Sequence, residues 1–183
     1  MDDPSDCSAG AQYQYGRRLD RTKFRLLHVD PADNENAPLS GSLREYVLYS
    51  DSVPEYHCLS YRWKGGDAAN FILLDGIRAG VLENLWRFLR VLRHRSHAIV
   101  VWADAICINQ NDLFERTRQV RLMGDIYRGA LQVHVWLGRA AEGSVELFQW
   151  AAEQHCTQQL KVLPDSIQSA FLQLAQRSYW SRA

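Results

Sequence analysis

The run Trp102-Ala103-Asp104-Ala105-Ile106-Cys107-Ile108-Asn109-Gln110 puts a carboxylate, a thiol, two side-chain amides and an indole within one short stretch. At the mouth of a sheet, where ligands collect beyond the carboxyl ends of parallel strands, such a set would make a polar pocket. The plainer reading has Asp104, Asn109 and Gln110 satisfying loop backbone, with Cys107 as a small core residue. Arg62 and Trp63 end another apolar run, and an indole in a Gly-rich loop could stack on a ligand base. Glu115 stands three residues after Asp112, so Asp-x-x-Glu reads first as a variant capping box. The helix dipole would keep such a carboxylate ionised, a poor general acid but a usable stabiliser of a cation.

Other chemistries find less support. Cys58 or Cys107 with His57 or His134 as base lacks a local signature of a thiol nucleophile. His57, Cys58, Asp104 and Cys107 include no pair at helical ligand spacing, so no metal is expected. Gly65-Gly66 is too short for a phosphate loop.

Elements that would position these residues follow from apolar patterning. Phe24–Val29 reads as a strand closed by Asp30-Pro31, residues 32–41 as loop, and Leu43–Tyr49 as a second strand. Tyr56–Trp63 is a strand running into a Lys64-Gly65-Gly66-Asp67 turn, and Phe71–Asp75 with Arg78–Leu82 flank Gly76 as a hairpin. Asn84 is placed to cap a helix striped by Leu85, Phe88, Leu89 and Leu92. Ala98–Ala103 is nearly uninterrupted and β-rich, which predicts a central strand covered on both faces. A helix follows from Asp112, with Val120, Met123, Ile126 and Tyr127 inward, then a strand over Leu131–Leu137 and helices near 142–155 and 164–176. Alternating strands and helices from residue 56 predict an α/β sandwich with a largely parallel central sheet and helices on both faces. The early strands would form an antiparallel N-terminal annex, and residues 1–22 a polar leader strapped to the surface at most.

Composition bounds the function class. The 183 residues carry 21 Lys+Arg and 21 Asp+Glu, so the net charge is zero, whereas a nucleic-acid binder needs surplus cations. The most apolar stretch, Ala98–Ile108, is too short to span a bilayer and contains Asp104. Residues 1–7 are acidic where a signal peptide is basic and then apolar. Cys7, Cys58, Cys107 and Cys156 are spread without a C-x-x-C pair. These features predict a reduced, cytoplasmic protein without membrane or nucleic-acid partners.

Four segments in order resemble the fungal heterokaryon incompatibility (HET) domain family. Tyr56-His57-Cys58-Leu59-Ser60-Tyr61-Arg62-Trp63 resembles its Y-x-x-L-S-Y-x-W-G element, although Lys64 intervenes before Gly65. Trp102 through Gln110 matches W-x-D-x-I-C-I-N-Q. Glu115-Arg116, Gln119-Val120, Met123 and Ile126-Tyr127 match its E-R-x-x-Q-V-x-x-M-x-x-I-Y helix, and Val133–Gly138 its V-x-V-W-L-G strand. Tyr179-Trp180-Ser181-Arg182 resembles the opening of a later Y-W-x-R-x-W-x-x-Q-E element, so a HET domain over 23–183 would be truncated at its C-terminus.

The resemblance implies a TIR-like, flavodoxin-like fold and signalling in regulated cell death when unlike fungal cells fuse, an innate immune role. It implies either an interaction module that self-associates or binds a receptor or signalling protein, or a TIR-like NAD glycohydrolase. NAD would then be a substrate, not a resident cofactor. In the enzymatic version Ser60, Arg62, Trp63, Asp104, Asn109 and Gln110 would build the pocket. Arg62 would hold pyrophosphate and Glu115 would face the ribosyl cation.

Overall fold

A computed structural model describes residues 12–63, 70–140, 143–157, 164–177 and 179–180, with side chains for all but the end of the helix closing at 157. The predicted 64–67 turn, Cys7 and the Cys156 side chain lie outside the described residues.

The described residues up to 135 form one compact unit and those from 136 onward a second. The first is built on a seven-stranded sheet whose elements, in chain order, are β1 (Lys23–Val29), β2 (Ser40–Val47), β3 (His57–Tyr61), β4 (Asn70–Leu74), β5 (Ile77–Val81), helix α1 (Glu83–Leu92), β6 (Ile99–Trp102), the short helix α2 (Asp104–Cys107), α3 (Leu113–Arg128) and β7 (Gln132–Trp136). The spatial order is β5-β4-β2-β1-β6-β3-β7.

This corrects the expected sheet. β1 pairs antiparallel with both β2 and β6, and β4 with β5, while β2–β4 and β3–β6 are parallel. The sheet is mixed rather than largely parallel. Nor are the first strands an annex, because β1 is the middle strand of the seven. The physical reason is legible in β1 itself: Phe24 and Leu26 on one face and Arg25 and Leu27 on the other are all buried, the mark of a strand covered on both sides. A close approach fixes the β1–β2 seam, where a Cβ on Gly41 would lie 2.2 Å from the His28 carbonyl oxygen.

Other expectations hold. β6 lies between β1 and β3 with Val101, Trp102 and Ala103 buried. β4 and β5 join through Asp75-Gly76, both at positive φ (50° and 81°), which suits the right-handed twist of a two-residue hairpin. The second strand starts earlier than expected, at Ser40. Asn84 sits inside α1, not at its cap, and its amide donates to the Arg62 carbonyl oxygen at 2.9 Å.

Residues 12–22 are more than a surface strap. Leu19 is buried, the Tyr15 hydroxyl donates to the Ile106 carbonyl oxygen at 2.7 Å, and the Tyr13 amide donates to Arg78. In the second unit, α4 (Ser144–Thr157) and α5 (Asp165–Ala175) close a small core of Leu147, Ile167, Ala170 and Leu174, with Leu137 and Trp150 packed against it. Trp180 is largely exposed, though its indole donates to the Leu174 carbonyl oxygen.

Candidate functional site

Asp104 is the first residue of α2, directly beyond the end of β6, where the sequence places a pocket. Its Oδ1 accepts from the Tyr61 hydroxyl at 2.9 Å, the Trp63 indole at 3.1 Å and the Ala105 amide at 2.9 Å. One carboxylate oxygen thus joins the ends of two neighbouring parallel strands. Burial, then the charge of Asp104, raises the Tyr61 hydroxyl well above its ordinary pKa, so it stays a donor. Trp63 is 43% exposed, its indole N–H spent on Asp104. Gln110 folds back so that its amide donates to the Asp104 carbonyl oxygen at 2.8 Å.

Glu115 sits elsewhere. Its exposure is 1%, and Arg25, 4% exposed, grips it with two hydrogen bonds of 2.6 and 3.2 Å. The Asn109 amide (2.8 Å) and the Leu19 amide (3.3 Å) also donate to the same carboxylate. Arg25 further reaches the Cys107 carbonyl oxygen and lies 5.0 Å from the centre of the Tyr15 ring. Asp112 caps α3 as expected, accepting from the Phe114 and Glu115 amides. The reciprocal half of the box is absent, because the Glu115 side chain turns inward to Arg25. Gln119, one turn on, is also buried and donates to the Lys23 carbonyl oxygen at 2.8 Å. The inner face of α3 is therefore Glu115, Gln119 and Ile126, and Val120, expected inward, is exposed.

A polar pocket of about 300 Å³ is lined by residues 12–15 and 109–111 together with Ala79, Gly80 and Ala105. Asn109 and Gln110 line it; Arg62, Asp104 and Glu115 do not. The structure thus brings Asp104 to Trp63 and Asn109 to Gln110, and sets Glu115 inside the scaffold. By strand alternation Ser60 occupies the face of β3 opposite Tyr61. Arg62 is half-buried, its carbonyl tied to α1.

Sequence patterning singles out neither Arg25 nor Tyr61 as a site residue. Arg25 carried a usable signal: a charge inside Phe24-Arg25-Leu26-Leu27 must find a buried partner if the strand is covered on both faces. The thiols are inert by position, since burial pushes both Cys58 and Cys107 up to about 12. Among the described residues no group of three or more His, Cys, Asp or Glu could hold a metal.

His134 Nε2 lies 3.1 Å from His57 Nδ1 across neighbouring strands. Burial, then the neighbouring His57, lowers the His134 pKa; burial and Arg44 do the same to His28. The unfolded chain then takes up protons first as pH falls through about 6.5, so stability drops below that point. Urea midpoints should decline from about pH 7 to about pH 5, and His134→Gln should flatten part of that decline. Parallel declines in the two proteins would exclude His134 as a source.

The family model described as "Heterokaryon incompatibility protein (HET)" matches residues 56–183. The chain belongs to the HET family. Every motif side chain described above except Arg25 and the lead-in falls inside that match, which begins one residue before β3. Heterokaryon incompatibility protein 6, OR allele, of Neurospora crassa is 36% identical to this HET domain over 146 residues, covering 72% of the chain. The chain spans about a fifth (21%) of that relative's length. No solved structure matches. No helix among the described residues is long and apolar enough to cross a membrane.

Proposed function

We propose that this HET domain acts in fungal heterokaryon incompatibility as a cytoplasmic interaction module. It self-associates or binds a signalling protein in the cell-death response, a TIR-like role without turnover of its own. The observation supporting this reading is that Glu115 is fully engaged: its two oxygens receive four hydrogen bonds, from Arg25, Asn109 and Leu19. A carboxylate neutralised by a bidentate guanidinium and closed off from solvent cannot approach a ribosyl cation without dismantling its support. Asp104 is similarly committed to Tyr61, Trp63 and Ala105.

The test is nicotinamide release from NAD by the purified chain and by Glu115→Gln, with sedimentation velocity across a concentration series. The module reading expects no release from either protein and mass that grows with concentration or with added partner. Release by the parent chain that vanishes in Glu115→Gln would overturn it in favour of an NAD glycohydrolase.

A further inference from the structure

Three arginines, Arg21, Arg118 and Arg121, line a groove of about 470 Å³ together with Leu122. Among the described residues no acidic side chain lines it, and none of the three guanidinium groups makes an ion pair or hydrogen bond with another described residue. Arg118 and Arg121 are spaced i, i+3 on α3, so they share a flank of that helix while Glu115 and Gln119 point inward. Arg21 comes from the lead-in, which is pinned on either side of it: the Leu19 amide to Glu115 and the Lys23 carbonyl to Gln119. The backbone carrying the three side chains is therefore fixed before any ligand arrives.

The second basic groove makes the contrast. It is lined by Ala32, Glu35, Arg90, Val91, Arg93 and Arg95. There Arg93 donates to the carbonyls of residues 34, 35, 37 and 38, Arg95 pairs with Glu35, and Arg90 lies over the Trp86 ring. Those cations hold a loop. The α3 groove has as many arginines, no described acid among them, and no described loop to hold.

We propose that the Arg21–Arg118–Arg121 groove binds a soluble small molecule carrying linked phosphoryl groups. Like charges gathered in a concave site focus the field and draw an anion of high charge density. Planar guanidinium forks match phosphoryl oxygens two at a time, and their three positive charges exceed the roughly −2 of a single phosphate group near neutral pH. The groove volume is within the range of small-molecule sites, about 300–1,000 Å³. Leu122 is its one apolar lining residue among those described, which favours a ligand without a hydrophobic body. The site is separate from the Asn109–Gln110 pocket and does not depend on whether the domain turns over NAD.

Isothermal titration calorimetry with inorganic tripolyphosphate and with orthophosphate tests this on the full chain. Tripolyphosphate should bind the tighter of the two, and its affinity should fall with added salt as ion pairs are screened. Arg118→Gln/Arg121→Gln and, separately, Arg21→Gln should each weaken it by at least about tenfold. Arg95→Gln should leave binding intact, and unchanged urea midpoints confirm folding. Absence of tripolyphosphate binding, equal affinity in the groove variants, or equal weakening by Arg95→Gln would overturn the proposal. So would binding to phosphoinositide vesicles that free tripolyphosphate fails to compete.

Discussion

Glu115→Ala should lose about 3–5 kcal/mol of stability in urea unfolding, and Arg25→Ala a similar amount. Each substitution leaves the surviving charge inside the protein with no counterion, and solvent cannot reach it. Arg25 joins β1 to α3 and to the last residue of α2, and Glu115 adds the Asn109 amide just beyond α2 and the lead-in at Leu19. One ion pair thus fastens four chain segments. The double substitution Arg25→Met with Glu115→Leu should recover part of the loss, because it deletes both charges and retains volume. Recovery stays incomplete, since the Leu19 and Asn109 amides lose their acceptor. Single variants within about 1 kcal/mol of the parent would mean that water screens this pair as it does an exposed one.

Trp102→Ala should cost about 3–5 kcal/mol by the same measurement. Trp102 closes β6, is completely buried and meets the Tyr127 ring edge-on at 5.4 Å. Removing it empties the region where the central strands pass beneath α3. Trp102→Phe should be distinctly milder. Among the described residues the buried indole N–H of Trp102 has no hydrogen-bond partner, so Phe gives up volume but also removes a desolvated donor. Equal losses for Ala and Phe would show that the core requires the full bicyclic indole and gains nothing from a single aromatic ring in its place.

The elements were more legible than their arrangement. Ile99–Trp102 announced itself by uninterrupted β-branched and aromatic residues, and the β4–β5 hairpin by Asp75-Gly76, because both signals are local. Strand order is not local. That Leu27 sits opposite Val101 in antiparallel register is written in neither segment alone. The inner face of α3 was misread for a related reason. Apolar periodicity selects Val120, whereas the helix buries Glu115 and Gln119, whose carboxylate and side-chain NH2 respectively bond to Arg25 and the Lys23 carbonyl on β1. Asp104 was found from its motif, but its donors Tyr61 and Trp63 lie over forty residues earlier. The family match starts at residue 56, yet β1 and β2 before it occupy the middle of the sheet.

The place of β1 also dictates an order of assembly. β1 is flanked by one partner that follows at once, β2, and another that emerges only after about 70 more residues, β6. A β1–β2 hairpin can form early, with one long apolar edge waiting. At ribosomal speeds of about 5–20 residues per second, that edge stays open for several seconds until β6 arrives. During that interval the hairpin is a template for any passing strand, including its own counterpart on a neighbouring nascent chain.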